Sequence, residues 1–387
     1  MKFLFITIVC VLLNGMSFRL FREKTTSEQI ISFFLNLQTV QQEKLYLHLD
    51  KPYYAAGEQI WFKGYLVNSS THAPDMPDNF IYVELVNQNN KIVCRQKVKK
   101  NEGGFWGNLL LPTDMIVGEY TLRGYTNWMR NANVNFFFQK NIPIANTLDR
   151  TDTLELKKKN IRKNDFSVSF FPEGGHLLTG YRQQMAFKCQ RSNGYSGMLE
   201  GYIVNQSGDT LTQVKSEHDG MGTFSFLPAK DNSYYALVRS PGCEEKKIQL
   251  PKAEDSGITL SLNQSAGKIR YQIFSSLPDS QQSDSLYLIG HTRGLLRFLL
   301  PISKENHTGV ISSSYFPDGI SHFLLMDQAS NKLSERLIFN YPKKESYWAL
   351  QTDKDTYERR EKIKINIRLD NESGLPAKGS FSLSITD

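Results

Sequence analysis

Residues 50–66, DKPYYAAGEQIWFKGYL, recur at residues 353–369 as DKDTYERREKIKINIRL, an ungapped shift of 303. Six of the seventeen positions are identical (Asp50/Asp353, Lys51/Lys354, Tyr54/Tyr357, Glu58/Glu361, Ile60/Ile363 and Leu66/Leu369), where ordinary residue usage gives about one. Two such distant copies mark the same opening of the same kind of module, so the chain folds as a tandem array rather than around one core. Its 387 residues allow three or four domains of about 100 residues.

The second copy fixes the phase of the first. Ile363, Ile365, Ile367 and Leu369 alternate with Lys364, Asn366 and Arg368, a strand pattern with one apolar face. Ile60, Phe62, Gly64 and Leu66 are therefore predicted to face a core, with Gln59, Trp61, Lys63 and Tyr65 pointing outward. A second echo sets VNQNNKIV (86–93) against VNQSGDTL (204–211), shifted by 118. Each is followed by a glycine-rich turn, Gly103-Gly104 or Gly220-Met221-Gly222, and by a strand ending in Leu-Pro at Pro112 or Pro228.

From Leu45 onward the apolar pattern has period two, with turn residues every eight to twelve positions, and 24 Phe and 18 Tyr reinforce the strand preference. The expected fold is all-β: tandem immunoglobulin- or fibronectin-like sandwiches at 44–146, 165–250 and 256–342, with an incomplete fourth at 347–387. Before them, residues 18–43 carry Ile30, Phe33, Phe34 and Leu37 at helical spacing, with Thr26 and Gln29 as the predicted capping box. Residues 147–164 form a charged linker.

The first 17 residues read as a secretory signal: a lysine, an apolar run from Phe3 to Leu13, then Gly15 and Ser17. The run is too short to span a bilayer and no later segment is long enough, so the mature chain is expected to be exported without a transmembrane segment. Three cysteines remain after the signal, Cys94, Cys189 and Cys243. Their spacing points to buried or half-buried thiols rather than a disulfide framework or a metal site. The net charge is +7, partly from Lys157, Lys158, Lys159, Arg162 and Lys163 in the linker. That basic run has no interleaved aromatics, which argues against a nucleic-acid partner.

Gly57-Glu58-Gln59 matches the tail of the Cys-Gly-Glu-Gln thioester of protease-trapping proteins. A thioester needs a thiolate to acylate, and Ala56 stands in its place. The second copy reads Arg359-Arg360-Glu361-Lys362 over the same stretch, so the feature is read as a turn at Ala55-Ala56-Gly57.

The order Asp-Lys-Pro-x-Tyr-x-x-Gly-Glu running into an apolar strand resembles the opening of the macroglobulin domain of the α-macroglobulin family. EKLYLHLDKPYYAAGEQIWFKGYLV, GYTNWMRN, SFFPEGG, HDGMGTFSFLP and SERLIFNY together resemble bacterial envelope proteins built from tandem macroglobulin-like sandwiches. Some of those continue into a plug-like domain similar to that of TonB-dependent receptors. The resemblance covers nearly all of residues 40–387 and implies an exported sandwich array in the periplasm or at the outer membrane and cell surface. Thioester-bearing members keep their reactive site in a separate helical domain, and neither that domain nor a protease bait region is identifiable in this sequence.

The seven histidines form no HExxH or HxxxH pair, and His48 with Asp50 reads as a structural hydrogen bond at the domain start. Gly194-Tyr195-Ser196-Gly197 misses nucleophile-elbow spacing, Ser265-Ala266-Gly267-Lys268 is a chance SxxK, and FFPEGGHLLTG reads as turn punctuation. No catalytic residue, cofactor or metal site is assigned. Trp61, Tyr65, Trp106, Tyr125, Trp128 and Arg130 form the candidate interaction surface, because aromatics and arginine dominate binding energy at interfaces. Packing between modules is the competing use of the same residues. The reading is a non-enzymatic binding or scaffold protein of the bacterial envelope, linked to TonB-dependent outer-membrane transport, with a protein or glycan partner that includes an outer-membrane receptor. The alternative is a thioester-free protease trap of the α-macroglobulin type, and an outer-envelope hydrolase is the third.

Overall fold

The structure, a computed structural model, describes residues 25–146 and 165–386 apart from 75, 193, 279–284, 304–305, 342–347 and 372. The signal at 1–17 and the linker at 147–164 lie outside the described residues. The chain divides into two compact units, Val40–Ile161 with Tyr341–Asp387, and Met1–Thr39 with Arg162–Asn340. Both are built almost entirely of antiparallel strands.

In the first unit a sandwich is formed by β1 (Glu43–Leu49), β2 (Tyr54–Ala55), β3 (Gln59–Asn68), β4 (Phe80–Val86), β5 (Ile92–Lys99), β6 (Phe105–Leu110), β7 (Gly118–Tyr125) and β8 (Phe138–Ala145). Its sheets run in the orders β1-β3-β6 and β2-β8-β7-β4-β5. The phase argument holds: Ile60, Phe62 and Leu66 are buried in one core with Leu45, Leu47, Ile81, Val83, Leu85, Leu122 and Ile142. Full burial of each such side chain stabilises the fold by about 1.5–3 kcal/mol. Gly64 sits where a Cβ would meet Ile81 and Phe105 at 3.0 and 3.2 Å, so the alternation accepts no larger residue there without repacking.

The same unit holds the second copy of the repeat. There β23 (Trp348–Thr352) pairs with β24 (Ile365–Leu369). Trp348 faces Leu369 as Leu45 faces Leu66, so the register is carried over residue for residue.

The other unit contains two sandwiches. The first uses β9 (Phe166–Pro172), β10 (Gln183–Arg191), β11 (Glu200–Val204), β12 (Thr210–Lys215), β13 (Met221–Phe226), β14 (Tyr235–Arg239) and β15 (Lys246–Gln249). Its core gathers Phe166, Met185, Phe187, Ile203, Val214, Phe224, Phe226 and Val238. The second uses β16 (Ile258–Ser265), β17 (Lys268–Ser275), β18 (Leu286–Thr292), β19 (Leu295–Ile302), β20 (Thr308–Ser312), β21 (Gly319–Asp327) and β22 (Lys332–Asn340) around Leu260, Ile269, Ile273, Leu288, Phe323 and Leu325. Cys94, Cys189 and Cys243 are all free thiols, buried or half-buried as expected.

Helix α1 (Thr26–Thr39) lies against Tyr287 and Ile289 of β18 through Ile30 and Phe34. Phe33 and Leu37, expected on the packed face, are exposed, because the stripe of the helix that meets Tyr287 and Ile289 is the one that carries Ile30 and Phe34. The capping box is one residue earlier than predicted. The Thr25 N–H donates to Glu28 Oε2 at 2.8 Å and the Glu28 N–H to Thr25 Oγ1 at 3.3 Å, and a carboxylate is the stronger acceptor for an orphan helix donor.

The echo at 86 and 204 is a hairpin device. Asn87 Oδ1 accepts the Lys91 N–H at 3.0 Å and Asn205 Oδ1 the Asp209 N–H at 2.8 Å. The residue before the closing one, Asn90 or Gly208, takes positive φ. The same turn closes two further hairpins, at Asp327–Asn331 and Asn371–Leu375, where the side-chain bonds are 2.8 and 3.0 Å. Short side-chain acceptors that reach their own backbone are what such turns require.

Candidate functional site

The Gly-Glu-Gln stretch is a clasp. Asp50 Oδ1 accepts the Tyr54 hydroxyl at 2.6 Å and the Trp61 N–H at 2.9 Å, which closes the loop between β1 and β3. Glu58 accepts the Lys51 ammonium at 2.8 Å and the Ala55 N–H at 2.8 Å. Those two donors, Lys51 first, hold the Glu58 carboxyl below the ordinary carboxylate range. Burial, and then the Asp50 carboxylate, push the Tyr54 phenol up. Gly57 has φ +84°, and its N–H donates to the Pro112 carbonyl at 3.2 Å. Asp50 thus orients Tyr54, where the sequence had paired it with His48. Asp50, Lys51, Tyr54 and Glu58 together tie the turn to its own sheet.

GYTNWMRN folds back onto the start of the same sandwich. The buried Thr126 hydroxyl donates to Glu43 and accepts the Met129 N–H at 3.1 Å, and the Trp128 indole N–H donates to the Gln41 carbonyl at 2.7 Å. Met129 enters the core.

The predicted interaction residues separate into two groups. Trp61 (53 % exposed) and Trp106 (47 %) lie on the outer face of β3 and β6, Trp106 directly opposite Lys63 and hence diagonal to Trp61. Tyr46 and Leu110 extend this apolar face on β1 and β6, and both are exposed. Tyr65 is half-buried on the same face, its hydroxyl 2.8 Å from Ser382 Oγ. Trp128 and Arg130 are exposed on a 3₁₀ turn, away from the ladder of β3 and β6, with Arg130 Nη1 at 3.4 Å from Asn127 Oδ1.

Tyr125 does not belong to the surface: it is 8 % exposed. Its hydroxyl donates to Glu84 Oε1 at 2.6 Å, and its ring stacks on Tyr82 and Phe137 at 5.5 and 4.6 Å. Glu84 is wholly buried between Arg95 and Arg123, its two cross-strand neighbours. Burial drives the Glu84 carboxyl up, and the bonds from Tyr125, Arg123 and Arg95 overcome it, so the group is held ionised. A buried carboxylate with three donors is costly to break, and Tyr125 is one of them.

FFPEGG is more than turn punctuation. It ends β9 by inserting into the neighbouring sandwich. The Glu173 carboxylate accepts the Arg336 guanidinium at 2.9 Å, and its backbone carbonyl accepts the Thr259 hydroxyl at 3.0 Å. Ser334 donates to the Gly174 carbonyl at 2.7 Å and accepts the Leu260 N–H at 3.0 Å. A Cβ on Gly174, which has φ +76°, would sit 2.1 Å from Thr259 Oγ1 and 2.7 Å from Ser334 Oγ. The glycine is what allows one module's strand end to lie inside the next. Near this joint Tyr181 stacks on Phe274 at 4.3 Å. Beyond it, Ser261, Asn263, Arg270, Gln272 and Thr308 line an open cleft of about 490 Å³ on the outer face of β16, β17 and β20.

No family model matches the chain, and no curated protein matches it. Among solved structures it is similar to trypsin-activated alpha-2-macroglobulin from Escherichia coli, at 11 % identity over 84 % of this chain and 26 % of that one, with a TM-score of 0.27. Dimeric latent PorU from Porphyromonas gingivalis is similar at 12 % identity over 78 % of this chain and 34 % of that one (TM-score 0.31). The Escherichia coli adhesin FdeC is similar at 10 % identity over 77 % and 96 % (TM-score 0.19). The chain spans about a quarter of the length of the macroglobulin chains it matches. Likeness at this level concerns strand architecture alone.

Proposed function

We propose that the chain is a non-enzymatic binding and scaffold protein of the bacterial envelope, whose sandwiches present fixed surfaces to a protein or glycan partner. The observation that carries this reading is the joint at Pro172–Gly175. Buried polar groups, an ion pair and a glycine with no tolerance for a side chain all serve to hold two modules in one arrangement. Fixed spacing between modules matters to a protein that must meet a partner at more than one point. The Trp61 and Trp106 face supplies the apolar anchors such contacts favour, and the 490 Å³ cleft, which sets amide, hydroxyl and guanidinium groups beside Tyr271 and Val310, suits a ligand with both polar and apolar faces. A link to TonB-dependent transport and the protease-trap alternative belong to the same proposal as its finer and competing forms.

The test uses mild cross-linking of the exported chain in intact envelopes. An outer-membrane receptor is expected among the captured partners from the wild type and is expected to be lost from a Trp61→Ser, Trp106→Ser double variant. Capture that is identical in the variant, or no envelope partner at all, removes the reading. Stable complexes with a broad panel of proteases would favour the trap instead, and simple digestion would dismiss it.

A further inference from the structure

Glu43, the first residue of β1, is 2 % exposed. One of its carboxylate oxygens is committed, since Oε2 accepts the Thr126 hydroxyl. The other, Oε1, is buried without a donor, and so is Oδ2 of Asp78 on the loop that leads into β4. Asp78 acts on Glu43 through its carboxyl group, which disfavours the Glu43 anion, and through its backbone N–H, which favours it. Two bare carboxylates cannot share a buried site, because each loses its hydration and each repels the other. A positive species must lie between them.

The side chains on the page narrow what that species is. Asp78, from the loop, and the Thr126 hydroxyl, from the end of β7, are the groups that act on Glu43. Thr126 already gives its proton to the other oxygen. The Lys100 ammonium lies over the Met76 carbonyl at 3.4 Å. Among the described residues no three acidic, histidine or cysteine side chains gather to hold a metal, whereas calcium takes six to eight oxygen ligands. A proton is the occupant that two oxygens alone can bind.

We infer that Glu43 Oε1 and Asp78 Oδ2 share one proton, an acid–carboxylate hydrogen bond that latches the chain at Met76–Asp78 to the first strand and opens as pH rises. The latch gathers three segments that the sequence keeps far apart. Gln42 accepts the Ser69 N–H at 2.8 Å, Gln41 accepts the Trp128 indole, and Met76 carries the loop into the core. Loss of the proton to solvent leaves two facing anions, and their repulsion weakens the contact between Asp78 and the first strand.

The direction of the pH effect follows. Burial first, and then Asp78 against the opposing Thr126 bond, push the Glu43 carboxyl up from 4.5 to about 7. A group raised in the folded state gives its full stabilisation below its unfolded value, near 4.5, and that stabilisation is lost as pH rises through about 7.

Hydrogen exchange of the full chain tests the latch. After correction for intrinsic rates, protection of the Ser69–Ala73, Met76 and Asp78 amides is expected to fall by up to roughly tenfold per pH unit between about 4.5 and about 7, and to level off above that once Glu43 is ionised in the closed state as well. Glu43→Gln should abolish that dependence, since an amide N–H donates to Asp78 at every pH, and Asp78→Asn should do the same from the other side. Equal pH dependence in wild type and both variants overturns the inference. Should the variants fail to fold, infrared spectroscopy of the wild type decides. A carboxylic-acid carbonyl band that persists at about pH 6, well above ordinary carboxyl values, supports the shared proton, and its absence overturns it. A rise in melting temperature on adding calcium to the wild type at about pH 8, above the Glu43 transition, assigns the gap to a metal and also overturns it.

Discussion

Asp50 and Asp353 each hold a tyrosine hydroxyl at 2.6 Å and a strand N–H at 2.9 Å. Lys51 and Lys354 reach Glu58 and Glu361, and those carboxylates accept the N–H of Ala55 and Glu358 at 2.8 and 2.9 Å. The same clasp has thus formed twice, 303 residues apart. What surrounds it differs. Ile60, Phe62 and Leu66 are sealed by the sheet that contains β4, β7 and β8, whereas Ile363 (47 % exposed), Ile367, Trp348 and Leu350 meet solvent. The clasp and the strand register are therefore local instructions that operate without a core, and burial is a separate contribution made by the facing sheet.

Truncating the shared isoleucine should give the largest contrast between the copies. Ile60→Ala removes a fully buried side chain and is expected to cost about 3–4 kcal/mol in denaturant unfolding. Ile363→Ala, on the open face, should stay within about 0.5 kcal/mol. Equal losses would mean that the second copy is covered in solution.

Removing the clasp acceptor comes next. Asp50→Ala strands the Tyr54 hydroxyl and the Trp61 N–H and should lower stability by about 2–3 kcal/mol. Asp353→Ala should leave the main unfolding transition unmoved, because its two donors turn to water. A matching loss at both sites would show that the clasp itself, rather than the seal above it, carries the energy.

The smallest effect sharpens the comparison at one backbone position. Gly57 at φ +84° corresponds to Arg360 at φ +66°, so both copies demand a left-handed residue and only the first provides glycine. Gly57→Ala should cost about 1 kcal/mol, with the added methyl 3.1 Å from Thr113 Cγ2. Arg360→Gly should relieve strain and slow exchange of the Glu361 N–H, which donates to Glu358 at 3.1 Å.

The sequence reads well wherever the cause is local. Alternation in the second copy placed Ile60, Phe62 and Leu66 inward and Trp61 outward, because strand phase depends only on neighbours two residues apart. The echo at 86 and 204 marked a hairpin whose acceptor reaches four residues along its own chain. Its relatives at Asp327 and Asn371 escaped notice because the motif tolerates either Asp or Asn, and either glycine or another residue at positive φ. Tyr125 was misplaced because the group that buries it, Glu84, lies 41 residues away on an adjacent strand. The joint at Glu173 depends on Arg336 and Ser334, about 160 residues downstream. A carboxylate between an apolar strand and two glycines was its only visible trace. The Glu43 pair was invisible for the same reason, since nothing in EKLYLHL shows that Asp78 faces it.

The inserted end of β9 also governs how the modules it joins come apart. Unfolding either sandwich would break the Glu173–Arg336 pair and the Thr259 and Ser334 bonds that cross the joint, so neither can melt without removing those contacts from its neighbour. Residues 166–340 should accordingly behave as one calorimetric unit, with a van't Hoff enthalpy that matches the heat absorbed by both sandwiches together. Seen this way, two globules that look separable by strand count are a single thermal domain.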